Sequence, residues 1–230
     1  MLKKLFVCGM LLALMLFALI PAGAEEAAGY DTLFFGRYEQ DNDPENGPEP
    51  VEWLILDRQD GRALLLSRFA LEAHRFHTRD VKVQWDKCQL REWMGTEMFS
   101  ALFTPEEQEA VLLTHLTAEK HPRFHTDPGG DTDDRIFLLS IQEVEKYFPD
   151  QASRTVQPTP YARLTTHAHV EKNGNTGWWL RTTGHSADDE ARVSSIGKFI
   201  NFQVNWRFDT VRPALWVDLM LLPDAESQPS

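Results

Sequence analysis

The chain has 230 residues, of which 42% are hydrophobic and 25% charged, a composition typical of a globular domain. Its formal net charge of -12 repels phosphate backbones and anionic headgroups, which argues against nucleic acid and membrane surfaces as partners. Neutral or cationic ligands and divalent cations are favoured instead.

Residues 1–24 have the pattern of a secretory signal peptide. Lys3 and Lys4 precede an apolar run from Leu5 to Ile20, and Pro21-Ala22-Gly23-Ala24 supplies an Ala-x-Ala cleavage site. The apolar run is shorter than the ~20 residues of a membrane-spanning helix. We therefore expect cleavage after Ala24, export, and a secreted, extracellular protein without membrane insertion.

Cleavage changes both the charge and the cysteine content. Loss of Lys3 and Lys4 reduces the 23 basic residues to 21 against 35 acidic ones, so the formal charge becomes -14. Loss of Cys8 leaves Cys88 as the only thiol, which excludes an intramolecular disulfide. We interpret Cys88 as a small buried hydrophobe, with a reactive thiol as the alternative.

The remaining chain is expected to form one domain over residues 25–222, followed by a polar, disordered tail over residues 223–230. Its N-terminal part reads as an antiparallel meander. Strands are predicted from Thr32 to Tyr38, from Val51 to Asp57 and from Ala63 to Phe69, and Asp60-Gly61 supplies the tight turn between the last two.

Three helices are predicted in the middle of the chain. Apolar residues at helical spacing indicate the first, from Leu90 to Leu102. A capping box at Thr104 with proline at the first helical position predicts a second helix to about Leu113. A further box at Ser140 predicts a third, which ends at Phe148 because Pro149 follows.

Short strands return near the C-terminus, and together the elements predict an α+β domain of mostly antiparallel strands whose two ends meet in one sheet. These strands are expected at Trp178 to Thr182, Ala191 to Ile196, Phe199 to Val204, and Val211 to Leu219.

Several short motifs resemble a bacterial family of uncharacterised, often exported domains over about Asp31 to Leu219. They are Phe35-Gly36-Arg37-Tyr38-Glu39-Gln40-Asp41, Pro50-Val51-Glu52-Trp53-Leu54-Ile55-Leu56-Asp57, Leu90-Arg91-Glu92-Trp93, Phe137-Leu138-Leu139-Ser140, Trp178-Trp179-Leu180-Arg181 and Val211-Arg212-Pro213-Ala214-Leu215-Trp216. The last two are similar to the closing pattern of the C-type-lectin-like fold, which sulfatase-modifying-factor-like domains share. The resemblance implies that fold and no activity.

The chain departs from two site types known in that fold. Lectins that bind sugar through calcium carry Glu-Pro-Asn or Gln-Pro-Asp with Trp-Asn-Asp, where this chain has Glu49-Pro50-Val51, Gln157-Pro158-Thr159 and Asn205-Trp206-Arg207. Formylglycine-generating enzymes use paired cysteines, and the mature chain has one.

No cofactor is predicted, and metal binding is left open. Calcium is an alternative for the loop from Asp41 to Gly47, and more so for Asp127, Asp131, Asp133 and Asp134, although solvated carboxylates are the preferred interpretation. Zinc is an alternative for the near pairs of histidines, which are His74 and His77, His121 and His125, and His167 and His169. Scattered surface histidines are preferred, because no metal motif joins them.

The polar segment from Thr182 to Thr210 is the candidate binding surface. Trp206 and Arg207 are its best contact candidates, since tryptophan and arginine are enriched at recognition surfaces. Further candidates there are Asn201, Asn205, His185 and Arg192. Trp178 and Trp216 are expected in the core, and Arg181 or Arg212 is expected to pair with a buried carboxylate such as Glu52 or Asp218.

Three functions remain open. The first is a non-catalytic extracellular module that binds a glycan, a peptide or an envelope protein through the Thr182 to Thr210 surface. The second is an extracellular hydrolase with a carboxylate and histidine site, and the third is a structural domain that associates with itself.

Overall fold

A computed structural model describes residues 29–222, so the predicted signal peptide (1–24) and tail (223–230) lie outside the described residues. The described chain is a mixed α+β structure of short, mostly antiparallel strands and short helices. Within this part of the chain, no helix has the length and apolar character needed to cross a membrane.

The strands and helices alternate along the chain. The strands are β1 (Thr32–Tyr38), β2 (Glu49–Gln59), β3 (Arg62–Ser67), β4 (Glu72–Ala73), β5 (Thr114–Leu116), β6 (Thr132–Asp134), β7 (Trp178–Thr183), β8 (Asp189–Val193), β9 (Phe199–Gln203), β10 (Thr210–Val211) and β11 (Ala214–Asp218). The helices are α1 (Gln89–Trp93), α2 (Phe99–Leu102), α3 (Pro105–Gln108), α4 (Ile141–Tyr147) and α5 (Pro160–Leu164).

The first sheet has the strand order β1-β2-β3-β11, with every neighbouring pair antiparallel. It confirms the predicted N-terminal meander and the meeting of the two chain ends in one sheet. Trp53 is fully buried and its Nε1 donates to the carbonyl of Phe35 at 2.7 Å. At Gly36, whose φ is +66°, a Cβ would lie 2.6 Å from the carbonyl oxygen of Leu102, so β1 can approach the helices only with glycine there.

The second sheet has the order β4-β10-β7-β8-β9 and carries the candidate surface on its last strands. Trp178, Trp179 and Leu180 of β7 are fully buried, as expected for core residues, whereas Trp216 of β11 is half-buried. A small hairpin of β5 and β6, which the sequence did not indicate, stands apart from both sheets.

The helices begin where the capping boxes predicted. The side chains of Thr104 and Ser140 each accept a hydrogen bond from the backbone N–H three residues on, and the carboxylates of Glu107 and Glu143 each accept one from the backbone N–H of the cap residue. The predicted first helix is α1, a π-helical segment (Met94–Met98) and α2 in succession. Helix α5, which begins at Pro160 after the N-cap residue Thr159, was not predicted.

One predicted helix and one predicted strand end earlier than expected. Helix α3 ends at Gln108, before Leu113, because Val111 forms a bridge with Val217 and the N–H of Leu112 donates to Trp216. The strand predicted from Ala191 ends at Val193, where a turn begins that Gly197 closes by donating to Ser194.

The strand predicted from Val211 to Leu219 is two strands in different sheets. Pro213 has no N–H for a ladder, and the chain crosses from β10 in the second sheet to β11 in the first at this residue.

The arginines of the two closing motifs join the sheets to the helices. Arg181 pairs with Glu143, the capping-box glutamate of α4, and also donates to the carbonyl of Leu138 at 2.9 Å. A carboxylate partner was expected, but Glu52 pairs with Arg68 instead. Arg212 is buried between the rings of Phe148 and Trp178 and has no carboxylate partner among the described residues.

Candidate functional site

The turn after β9 brings three of the predicted site residues together. The N–H of Trp206 donates to the carbonyl of Gln203 at 3.0 Å, which closes the turn. The carbonyl of Asn205 accepts from Nε of Arg75 at 3.1 Å, so Arg75 belongs to the same patch. We call Arg75, Asn205, Trp206 and Arg207 the Trp206 surface; Arg75 and Arg207 are exposed, whereas Asn205 and Trp206 are half-buried.

Aromatic side chains support this surface from below. The Trp206 ring meets Phe202 and Phe208 edge to face, with 4.9 Å between ring centroids in both cases. The Arg207 guanidinium lies over the Phe208 ring at 4.7 Å. An arginine over an aromatic face is held flat, and its remaining donors stay available to a ligand.

Arg192 points into the protein and contacts the same cluster from inside. Its guanidinium lies over the Phe202 ring at 4.5 Å and donates to Asp209, whose side chain is almost completely buried. Burial raises the pKa of the Asp209 carboxyl to about 6, although Arg192 opposes the rise. A Cβ at Gly177 would lie 2.7 Å from Asp209, so glycine is needed beside this ion pair.

The other two predicted residues lie apart from the Trp206 surface. Asn201 is opposite Ala191 and Arg192 is opposite Ile200, so Asn201 and Arg192 face opposite sides of the sheet. His185 lies in the turn between β7 and β8, where its ring meets Phe124 edge to face at 4.9 Å. Of the six predicted site residues, Asn205, Trp206 and Arg207 therefore form one contiguous patch. The other three, Asn201, His185 and Arg192, lie at separate positions.

His121, a member of one of the predicted histidine pairs, contacts the same Phe124 ring as His185. Its ring centroid is 4.5 Å from that of Phe124. Burial lowers the pKa of His121, and the positive charges of Arg123, His125 and His185 add to the effect. Histidines therefore gather here, although they do not form a metal-ligating group within the described residues.

The second sheet also holds a buried acid that the candidate residues did not include. Glu190 of β8 is fully buried, and neither of its carboxyl oxygens has a hydrogen-bond partner within residues 29–222. The residue opposite it, Thr183, also has an unpartnered hydroxyl. Burial raises the pKa of the Glu190 carboxyl well above its usual value, because desolvation disfavours the ionised form.

The thiol of Cys88 lies near this acid. Cys88 is buried and caps α1, its Sγ accepting from the N–H of Arg91 at 3.3 Å. Burial raises the pKa of the Cys88 thiol, and the Glu190 carboxyl adds to the rise. A protonated, buried thiol packs as a hydrophobe, which is how the sequence was interpreted.

One group of carboxylates has the spacing of a cation site. Ligand oxygens of Glu39, Asp41 and Glu49 lie within 4.8 Å of one another, the one such group in the described part of the chain. Glu49 already accepts from the N–H groups of Gln40 and Asp41. Hard oxygen donors of this kind suit calcium, and the group includes the first residue of the Asp41 to Gly47 loop.

The second predicted set of acids is divided between different partners. Asp134 accepts from Arg91, Trp85 and Thr132, whereas Asp131 and Asp133 flank the exposed His115. Asp127 accepts from the N–H of Gly129 in its own turn. These four carboxylates therefore do not converge.

A wide groove of about 520 Å³ runs between α1 and β6. Its polar lining includes Asp86, Arg91 and Asp134, and Asp134 is already committed to the hydrogen bonds just described. The groove is thus lined by groups whose contacts hold α1 against the small hairpin.

A family model matches residues 60–219, which is more than half of the chain and contains both the second sheet and the Trp206 surface. The chain belongs to the family DUF6273, a domain of unknown function. No curated protein and no solved structure matches the chain. The DUF6273 region begins at the turn between β2 and β3, so Glu39, Asp41 and Glu49 lie outside it.

The sequence pattern did not indicate the residues that support the Trp206 surface. Phe202 and Phe208 flank Trp206 at close spacing, and this aromatic spacing was the available signal. Arg75 is distant in sequence and joins the surface through the backbone of Asn205. Nothing in the local pattern indicates that Glu190 and Asp209 are buried, because both stand in polar, turn-rich sequence.

Proposed function

We propose that this DUF6273 protein is an exported, non-catalytic binding module of bacterial origin, which needs no cofactor. It recognises a glycan, a peptide or an envelope protein through the Trp206 surface, within the segment from Thr182 to Thr210. The protein is secreted and acts outside the cell.

The observation that carries the proposal is the row of contacts in which Arg207 lies over Phe208, and Trp206 packs edge to face between Phe208 and Phe202. A planar cation and a half-buried indole lie side by side at the end of a strand. Arginine and tryptophan dominate the energetics of recognition surfaces because they combine flat apolar area with donors. Arg75 and Arg207 also place positive charge on a chain that is acidic as a whole, which favours a ligand with acceptor or acidic groups.

A C-type-lectin-like fold is part of the proposal. Three features support it: strands from both chain ends share one sheet, a second sheet carries the polar segment from Thr182 to Thr210, and the two closing motifs supply core residues of both. In such an architecture the scaffold stays constant while the displayed segment sets the ligand.

Thermal unfolding in the presence of candidate ligands tests the proposal, because a molecule that binds only the native state raises the unfolding midpoint. The probes are soluble cell-wall glycans, extended peptides with acidic residues, and calcium with and without chelator. We expect one glycan or peptide to raise the midpoint, and Arg207→Ala to abolish that shift.

Arg163→Ala is the matched control, because Arg163 is also exposed but lies on α5 and is not part of the Trp206 surface. A shift that survives Arg207→Ala, or disappears with Arg163→Ala, would place binding elsewhere. A rise of the unfolding midpoint with calcium alone would indicate that the protein binds the cation, with Glu39, Asp41 and Glu49 as the candidate ligands.

A further inference from the structure

Strand β9 is an open edge of the second sheet. It pairs with β8 on one side, and no strand pairs with its other side within residues 29–222. Four of its five residues are half-buried and Gln203 is exposed. The outward N–H and C=O groups of such a strand are a template for another strand.

The other edges of the two large sheets are protected in the ways proteins commonly use. Strand β1 has a bulge between Phe34 and Arg37, and it packs against α2. Strand β11 is bridged by Val111 and Phe137, and β4 has only two residues. Strand β9 has no charged residue, no proline and a continuous register, so it lacks these protections.

We propose that β9 pairs with β9 of a second copy of this chain, antiparallel and centred on Asn201. The two neighbours of Asn201 in β9, Ile200 and Phe202, are both apolar. In this register Ile200 lies opposite Phe202 of the other copy, two apolar pairs form on one face, and the two Asn201 amides meet on the twofold axis. Two five-stranded sheets thereby join into one continuous sheet.

Charge complementarity favours a second copy as the occupant. The register places Lys198 opposite Val204 of the other copy, and the N–H of Val204 donates to the carbonyl of Asp188 at 3.2 Å. Lys198 and Asp188 are both exposed. Across the interface their backbones are two strand spacings apart, about 10 Å in total, and a lysine side chain spans most of that distance. The twofold axis repeats this attraction on the other side.

The pairing also has a consequence for ligand binding. The Trp206 surface follows β9 directly, so the dimer carries two such surfaces on one sheet. A ligand with repeated units would engage both and gain avidity. The pairing itself rests on β9 and does not require that the proposed function is correct.

Sedimentation velocity of the purified protein over about a hundredfold concentration range tests the pairing. We expect the wild type to approach twice the monomer mass as concentration rises. Asn201→Asp and Asn201→Lys should each remain monomeric, because like charges then meet on the axis. An equimolar mixture of the two variants should recover the dimer mass, since opposite charges now face each other.

Thr32→Asp and Thr32→Lys are matched controls on the exposed end of β1, the edge of the other sheet, and both should dimerise as the wild type does. A second pair of variants covers the case in which the Asn201 variants do not fold. Lys198→Glu should weaken the dimer and Lys198→Glu with Asp188→Lys should restore it. A wild type that stays monomeric, Asn201 variants that dimerise alone, or a mixture that stays monomeric would overturn the proposal.

Discussion

The two large sheets of this protein differ in how many of their buried polar atoms lack a hydrogen-bond partner. In the first sheet the fully buried side chains are apolar apart from Ser67, whose hydroxyl donates to the carbonyl of Phe69, and the buried indole of Trp53 has its hydrogen-bond partner. A carboxyl oxygen of Glu49 is the one buried polar side-chain atom without a partner on its described strands. In the second sheet and the loop that follows it, buried polar atoms lack partners among the described protein groups. These atoms are in Thr183, Glu190, Arg192, Trp206 and Asp209.

An unpartnered buried polar group costs stability, so a region that collects several is not shaped for stability alone. Such sites are found where a protein needs particular groups in fixed positions. The difference therefore indicates that the first sheet is a scaffold, and that the outer part of the second sheet is arranged for a task. The following predictions test or refine this division.

The largest expected effect is in the first sheet. Trp53→Ala removes a fully buried indole and leaves the carbonyl of Phe35 without its donor, so we expect a loss of about 3–5 kcal/mol in the free energy of unfolding. Urea denaturation measures the loss. A change below about 1 kcal/mol would contradict the role of this sheet as the stable scaffold.

The second prediction concerns the pH dependence of the second sheet. The folded-state pKa of Glu190 is raised by burial, whereas in the unfolded chain the group titrates at about 4.3. The native state then binds more protons than the unfolded state above that pH. Glu190 therefore contributes stability at low pH that is lost as pH rises towards the folded pKa.

Replacing Glu190 by glutamine removes this titration. Glu190→Gln should raise stability at neutral pH by roughly 1–3 kcal/mol. It should also flatten the decline in stability as pH rises from about 4.3 towards the raised folded-state pKa. Part of the decline in stability should remain in the variant, because burial also raises the pKa of Asp209, to about 6. Unfolding curves across that range measure both, with Glu106→Gln on the exposed face of α3 as the control. Equal pH profiles for Glu190→Gln and wild type would show that Glu190 is ionised and solvated.

A smaller effect is expected at Trp206. The ring is half-buried against Phe202 and Phe208, so Trp206→Ala should cost about 1–2 kcal/mol, less than Trp53→Ala, and should also abolish ligand binding. If the two tryptophan variants unfold with the same free energy, the proposed division between the sheets fails.

The smallest effect on stability is expected at Arg207. Its side chain is exposed and its one ring contact is with Phe208, so Arg207→Ala should change the free energy of unfolding by less than about 0.5 kcal/mol. Urea denaturation of Arg207→Ala beside Arg163→Ala checks this. A loss as large as that of Trp206→Ala would assign Arg207 to the structure of the turn.

The sequence predicted the local elements better than the long-range contacts. The turn at Asp60-Gly61 and the boxes at Thr104 and Ser140 depend on neighbouring residues, and all are where they were predicted. The end of α3 and the division at Pro213 depend on β11, which is distant in sequence. No pattern of neighbours contains that information.

The same limit applies to the candidate site. Asn205, Trp206 and Arg207 were predicted together because they are consecutive. Arg192 was expected at the surface, but its partner Asp209 turns it inwards. Arg181 needed a carboxylate, as the sequence indicated, yet only the packing of α4 against β7 shows that Glu143 supplies it.

The most direct test of the binding role is an array of bacterial envelope glycans and extended peptides probed with wild type, Arg207→Ala and Arg163→Ala at equal concentrations. The account predicts one binding pattern that wild type and Arg163→Ala share and that Arg207→Ala lacks. An identical pattern for all three proteins, or no binding by the wild type, would contradict it.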